Sequence, residues 1–253
     1  MWLPAGRERG PDSPARSSHR SAPPLPEATA MESSRPERLT AEMTCGCGMS
    51  CWRRLRDWQA AGVWRRLHQV LLERLHAAGK IEGSRASVDG ESVPAKERGA
   101  ATGSNPTDRG KAGTRRHLVT DARGTPLGLV PTGAHCRDSP PMAPTLDAIP
   151  PVRSGKRGRP RRRPDTLHAD KAHDAKVRRQ ECRARGIRPR IARRGIERSD
   201  GLGRHRWVVE RSHAWFSRAR RLPVRDERRP DIYEAFTFLQ ASLITLRRIQ
   251  RFC

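Results

Sequence analysis

The sequence predicts an α/β protein in which a mixed sheet is flanked by helices, preceded by a small helical region and a disordered N-terminal tail. Three observations predict this class. Strand signals fall within residues 85–193, whereas the segments on both sides of that range carry helical periodicity. The order of elements is helices, a strand and a hairpin, strand–helix–strand, and two long helices. Residues 1–43 are rich in Pro, Ser and Arg and contain too few apolar side chains to offset the entropy of ordering.

A helical region follows the tail over residues 44–80. Trp52, Leu55 and Trp58 recur at helical spacing, and a second apolar stripe begins at Val63. Gly62 separates the two helices, and Gly79 is a suitable residue to end the second. This pair of helices fits a DNA-binding helix-turn-helix and an ordinary helical hairpin equally well.

The strands come next. Alternating residues predict strands over 85–93, 115–121 and 126–132, and Arg123-Gly124 predicts a hairpin turn between the last two. A short strand over 166–170 and another over 188–193 flank a helix over 174–186. Asp174 is expected to cap that helix, and Gly186 to end it.

Two helices close the chain, over residues 205–222 and 231–252. Asp231 is expected to be the N-cap of the second. The apolar stripe of that helix, by which it should pack on the sheet, is Ile232, Phe236, Leu239, Leu243 and Leu246.

The charge predicts a polyanionic partner. The 253 residues include 52 Lys and Arg against 27 Asp and Glu, a formal net charge of +25. Such a charge favours nucleic acid over a membrane surface, and the chain lacks the long apolar run of a membrane-spanning helix, so we expect a cytoplasmic protein. An RNA-binding protein of ribosomal type is a competing hypothesis, but the middle of the chain offers few aromatic side chains on which bases could stack.

The strongest run of positive charge is a predicted loop over residues 153–164. Gly, Pro and repulsion between like charges prevent a packed element there. Binding to backbone phosphates is favoured over insertion of the GRP motif into a minor groove. The predicted DNA-binding residues of this loop are Arg153, Lys156, Arg157, Arg159, Arg161, Arg162 and Arg163.

Six cysteines do not form a disulfide pattern. Cys45, Cys47 and Cys51 cluster near the N-terminus, but structural zinc requires four ligands, and no fourth follows at a usual spacing. We therefore interpret them as small side chains at the start of a helix.

Three carboxylates occupy unusual positions in this basic chain. Asp89 lies inside the first strand, Asp170 ends a later strand, and Glu210 lies between valines and a tryptophan in a helix. Each also has an ordinary interpretation: a turn residue, a helix cap, and a partner of Arg206 one helical turn away. Brought together they would repel one another, and divalent cations would remove that cost. Two magnesium ions held by such carboxylates suit phosphodiester chemistry.

Several motifs in order carry a resemblance to a known family. LVTDARGTPLGLV, HADKAHD and above all GRHRWVVERSHAWFSRARRL resemble DDE transposases of bacterial insertion sequences, most closely the insertion-sequence-five family of R-W-V-V-E-R type. The resemblance covers about residues 45–253. It implies a ribonuclease H-like fold and a catalytic, metal-binding triad of Asp89, Asp170 and Glu210.

The resemblance also implies cofactors, partners and domains. Two Mg²⁺ ions, with Mn²⁺ as a possible substitute, would serve cleavage of DNA at transposon ends and strand transfer. Partners would be transposon-end inverted-repeat DNA, target duplex DNA and a second copy of the chain in the complex, on the nucleoid. Residues 44–80 would be a partial end-binding region and 81–253 the catalytic domain. Arg206 matches an arginine of the signature, and Arg218 is the nearest match to a basic residue after the glutamate.

The sequence departs from this family in two places. Residues 1–43 do not resemble it, and His173 stands where a tyrosine is expected. The alternative is a catalytically inactive, truncated transposase that only binds DNA.

Overall fold

The computed structural model describes residues 48–195 and 200–252, with the side chains of 200–204 outside the description. The predicted tail over 1–43 and the cysteines at 45 and 47 therefore lie outside the described residues. The helices and strands are α1 Gly48–Ala60, α2 Val63–Ala77, β1 Arg85–Pro94, β2 Gly103–Ser104, β3 Ala112–Asp121, β4 Pro126–Gly133, α3 Met142–Asp147, β5 Thr166–Ala169, α4 Lys176–Ala184, β6 Arg188–Ile191, α5 Asp200–Ser217 and α6 Pro230–Phe252.

A six-stranded mixed sheet forms the centre of the fold. Its main path runs β4-β3-β1-β5-β6, and the short β2 pairs with the beginning of β3. The first three long strands are antiparallel neighbours, whereas β5 and β6 continue the sheet in parallel with β1. This arrangement, with helices on both faces, confirms the predicted ribonuclease H-like class.

Alternate residues of β1 face two different cores. Ala86 and Val88 point to the first core, which α2, α3 and α4 cover. The second core lies between the other face of the sheet and helices α5 and α6, and includes Leu118, Val209 and Phe238. Odd-numbered residues of β1, including Asp89, therefore face α5.

Helices α1 and α2 pack against α6 within the same compact unit as the sheet. Glu234, in the first turns of α6, accepts hydrogen bonds from Gln59 and Arg65. His68 of α2 is buried, and its Nε2 lies 3.1 Å from the carbonyl oxygen of Pro126 at the start of β4. Among the described residues no helix is long and apolar enough to span a membrane.

Most predicted elements are confirmed, and their turns have the expected chemistry. Gly62 separates α1 from α2 with φ 71°, and Gly124 turns the β3–β4 hairpin with φ 85°, values that glycine adopts without steric cost. The structure adds a short helix, α3, where the sequence predicted none.

Three predictions about the helices were wrong. Asp174 does not cap α4, because its carboxylate accepts from Arg179 and from the backbone N–H of Arg194. Asp231 lies in the first turn of α6 and pairs with Arg229. Leu243 and Leu246, assigned to the buried stripe of α6, are 40% and 37% exposed, since the helix buries a different face.

Candidate functional site

Strand register aligns Asp89 with Asp170. In the parallel pair of β1 and β5, Ser87 lies opposite His168. The two aspartates each follow two residues later, so they emerge beside each other on the same face of the sheet. The side chains of Asp89 and Asp170 are 19% and 27% exposed, which leaves both partly open to solvent.

Helix α5 covers this face and brings Glu210 to it. Ser87 Oγ donates to the carbonyl oxygen of His205, which fixes the helix over β1. Arg206 then extends its Nη2 to within 3.7 Å of Asp89 Oδ2 and 3.5 Å of Glu210 Oε1. The guanidinium therefore links the first and third carboxylates of the predicted triad.

Glu210 is held at the rim of the site, with its side chain 57% exposed. Val208 and Val209 are buried and anchor this part of α5, as expected. Trp207, expected to help anchor the helix, is instead 50% exposed and stacks on the guanidinium of Arg211. Within residues 48–195 and 200–252, no three His, Cys, Asp or Glu side chains are grouped closely enough to hold a metal ion.

His173 orients Asp170. One oxygen of Asp170 accepts the backbone N–H of Ala172 at 3.0 Å and lies 2.8 Å from Nδ1 of the buried His173. Burial acts to raise the pKa of this carboxyl, but the hydrogen bond and charge of His173, together with Arg206, outweigh it and lower the pKa. Asp170 is therefore a fixed, ionised group.

The pKa of Asp89 is shifted in the opposite direction, upwards. Burial raises its pKa and the charge of Asp170 adds to the effect, against the lowering influences of His213, the Gly90 N–H and Arg206. A Cβ at Gly90 would lie 2.1 Å from Oδ1 of Asp138, so a larger residue there would displace that carboxylate. The pair of aspartates thus concentrates negative charge that a cation would stabilise.

A second polar cluster lies beside the carboxylates, and the sequence analysis missed it. Glu91 accepts from Ser217 Oγ at 3.0 Å and from the fully buried Arg116, and its Oε2 lies 3.4 Å from Nδ1 of His213. The signal was present, because Glu91 follows Asp89 by two residues and so shares its face of β1. His213 and Ser217 lie on the matching face of α5, one and two turns after Glu210.

The predicted DNA-binding residues lie in three places. Arg206 is in the carboxylate cluster, and Arg218 is exposed just after α5. The basic loop 153–164 closes through a bridge between Val152 and Arg161 and leads into the beginning of β5, whereas Asp170 follows the end of that strand. The loop and the carboxylates are therefore separated by the length of β5, roughly 13 Å.

Not every arginine of this loop is free. Arg161 Nη2 donates to Gly83 O and Asp165 Oδ1, and Arg163 donates to Arg185 O. The other cationic side chains of the loop are also exposed, and all of them except Arg162 line a cavity of about 450 Å³. These other residues are Arg153, Lys156, Arg157, Arg159 and Arg162.

Known proteins resemble this chain over most of its described length. A family model described as the transposase DDE domain matches residues 82–245. A Burkholderia cepacia protein named as a transposase for insertion sequence element IS402 is 51% identical over 150 residues, covering 58% of this chain and 71% of that protein. An uncharacterized 16.2 kDa protein of the same element and organism is 59% identical over 68 residues, covering 27% of this chain and 46% of that protein.

Two solved structures also align with the chain. The pre-cleavage Mos1 transpososome gives a TM-score of 0.30 at 11% identity, over 85% of this chain and 74% of that one. The Mos1 mariner paired end complex with Mn gives 0.25 at 10% identity, over 87% and 75%.

Proposed function

The chain belongs to the family of transposase DDE domains, and on that premise we propose that Asp89, Asp170 and Glu210 form the centre at which it cleaves DNA and transfers strands. The relative that is 51% identical identifies the elements concerned as insertion sequences. We place the chain in the insertion-sequence-five family, on its R-W-V-V-E-R signature around Glu210.

The observation that carries this proposal is the alignment of carboxylates on one face of the sheet. Asp89 and Asp170 occupy equivalent positions of neighbouring parallel strands, and Arg206 connects Asp89 to Glu210 from the covering helix. A structural ion pair would need one carboxylate for each arginine. Three carboxylates around one arginine therefore support the proposal of a cation-binding site.

A divalent cation is the cofactor of this family, and the donor set suits it. Burial raises the pKa of Asp89 against the lowering charges of His213 and Arg206, and the neighbouring charge of Asp170 adds a smaller increase. Asp89, Asp170 and Glu210 would supply carboxylate oxygens to two Mg²⁺ ions, with Mn²⁺ as a substitute. When bound, such ions stabilise the attacking and leaving oxygens of a phosphodiester displacement.

The residues of the chain around the metal ions have distinct tasks. His173 fixes the orientation of Asp170, and Gly90 allows β1 to pass Asp138 closely. Arg206 neutralises Asp89 and Glu210 before DNA arrives and would bind a phosphate oxygen afterwards.

The DNA partners would be transposon-end inverted repeats and a target duplex, bound by two copies of the chain on the nucleoid. Exposed arginines of the basic loop and Arg218 would contact backbone phosphates, so affinity should fall steeply with salt. Residues 44–80 would contribute to end binding, and 81–253 would form the catalytic domain.

A nicking and strand-transfer assay tests the proposal. The substrate is a duplex carrying the flanking repeats of the element, with Mg²⁺ or with EDTA. Asp170→Asn and Glu210→Gln should abolish cleavage and retain DNA binding, because both substitutions remove a metal-binding charge while preserving shape. Asp147→Asn is the matched control, since that carboxylate is 58% exposed and pairs with Arg185 away from the site.

The outcomes separate the two hypotheses about the chain. Metal-dependent nicking that both site variants lose would support the triad. Nicking retained by either site variant would contradict it. Salt-sensitive binding without nicking by the wild-type chain would instead indicate the truncated, non-catalytic DNA-binding protein.

A further inference from the structure

A basic cavity lies away from the carboxylates, where the β3–β4 turn meets helix α5 and the last turns of α6. Its volume is about 320 Å³. We name it the turn pocket, and its lining includes Trp215 and five arginines, Arg123, Arg211, Arg247, Arg248 and Arg251. Arg211 directly follows Glu210, but successive side chains of a helix point about 100° apart, so the pocket opens on a different side of α5.

Two of its arginines are rigidly held. The Arg211 guanidinium lies between the rings of Trp207 and Trp215, 4.4 Å and 4.8 Å from their centroids. It donates to the carbonyl oxygen of Arg123 at 2.6 Å, and Arg248 Nη1 donates to the same oxygen at 2.7 Å. These contacts fix the cations of the inner wall without neutralising them.

The arginines of the turn pocket have almost no acidic partners. In the part of the chain that the structure describes, none of the five arginines has a carboxylate within ion-pair distance. The nearby Asp121 is fully buried and turned towards the backbone N–H groups of Glu82, Arg123 and Thr125. Burial, together with the charges of Arg211, Arg123 and Arg251, lowers the pKa of Arg248 against the opposing charge of Asp121.

The rim of the pocket is open and its cations are exposed. Arg123, Arg247 and Arg251 are exposed. Arg247 and Arg251 lie one helical turn apart, so their Cβ atoms are about 5–6 Å from each other on one side of α6. An open rim with spaced guanidinium groups suits an extended polyanion better than an enclosed small ligand.

We propose that the turn pocket binds the phosphodiester backbone of duplex DNA, as a contact separate from both the carboxylate cluster and the basic loop. The inference rests on the proposed function, because it assigns a second segment of the same DNA to this surface. Arg247 and Arg251 contact phosphates directly, and the fixed Arg211 and Arg248 add positive electrostatic potential from the inner wall of the pocket.

The experiment compares the full chain with the Arg247→Gln/Arg251→Gln double variant. Binding of a labelled duplex is measured over a salt series, and nicking is measured on the same preparations. Loss of two phosphate contacts should reduce the slope of log K against log salt by about 2. The control is Arg98→Gln/Arg109→Gln, which removes equal charge from exposed side chains outside the pocket.

A local measurement accompanies the salt series. Hydrogen exchange should slow over residues 121–126 and 244–252 when the duplex is added to the wild-type chain. Inorganic phosphate is added separately, because protection by phosphate but not by duplex would mean a small-anion site and would overturn the proposal.

The remaining outcomes are equally decisive. An unchanged slope with a lower Tm would mean that the arginines only stabilise the end of α6, where cations interact favourably with the helix dipole. An equal loss of slope in the control would mean that total charge alone matters. Either result overturns the turn pocket while wild-type nicking leaves the proposed function intact. A wild-type chain that neither binds nor nicks DNA overturns both.

Discussion

His68 should make the packing of α2 on the sheet sensitive to acid. Its ring is 1% exposed, 6.0 Å from the ring of Phe238, and its Nε2 lies 3.1 Å from Pro126 O. Burial lowers its pKa from 6.5 to about 4, and the hydrogen bond to Pro126 opposes this only partly. The unfolded chain therefore binds a proton that the folded chain excludes between those two pKa values.

The size of the effect follows from linkage. Because the folded pKa lies below the unfolded one, stability is lost as the pH falls from about 6.5 towards 4. At pH 5 the loss attributable to His68 is about 2 kcal/mol relative to pH 7.5. Burial lowers the pKa of His117 and His168 as well, so the contribution of His68 must be measured as a difference between chains.

Urea unfolding of the wild type and of His68→Gln provides that difference. Gln retains an N–H donor for Pro126 but does not titrate. The variant should be the less stable chain at pH 7.5, since it loses the ring contact, and its disadvantage should shrink by about 2 kcal/mol at pH 5. A difference between the two chains that stays constant over this pH range would refute the reasoning.

Three further results are expected. Arg225→Met should lower the free energy of unfolding by about 3 kcal/mol or more in a urea titration, because five oxygens lose the donor of a buried guanidinium. The exposed Arg220→Met should change it little. Gly124→Ala should lower the Tm, since a left-handed φ of 85° and a Cβ 2.9 Å from Ser212 Oγ are both unfavourable; an unchanged Tm would contradict the hairpin geometry. His173→Phe should slow nicking about 10- to 100-fold with DNA binding retained, because Asp170 loses its orienting partner. His173→Gln should recover part of the rate. Equal losses of rate in both variants would argue against a positioning role.

The hairpin and the breaks between helices were predictable because they depend on local chemistry. Gly62 and Gly124 supply backbone conformations that other residues adopt at a cost, and the alternation of 115–121 and 126–132 is visible without tertiary information. The absence of a cap at Asp174 was not predictable in this way. Its carboxylate accepts from Arg179 of α4 and from the backbone N–H of Arg194, which the fold brings close only after strand β6.

The buried face of α6 was mispredicted because the helix is covered on two sides, by α2 and by α5. Polar residues are therefore buried along with apolar ones. The hydroxyls of Ser242 and Thr245 donate to the carbonyls of Phe238 and Ala241, which satisfies them inside the core. A stripe drawn from hydropathy alone cannot include such residues, and it assigned the exposed Leu243 in their place.

The residues of the proposed triad could be named from the sequence, but their spatial arrangement could not be derived from it. A carboxylate inside a strand and another at a strand end are visible in sequence, whereas the register that aligns Asp89 with Asp170 arises only from strand pairing. Glu91 was missed although its spacing from Asp89 places it on the same face. Its partners Arg116 and Ser217 come from distant parts of the chain.

The register between β1 and β5 also determines which changes of chain length the gene can tolerate. An in-frame insertion or deletion of one codon between Ser87 and Asp89 would rotate Asp89 into the opposite core and bring Val88 or Gly90 to the face that carries the proposed triad. A codon gained or lost in the loop 153–164 would leave both aspartates in place. Copies of the element that differ in length should therefore retain their chemistry when the change falls in that loop and lose it when the change falls in β1.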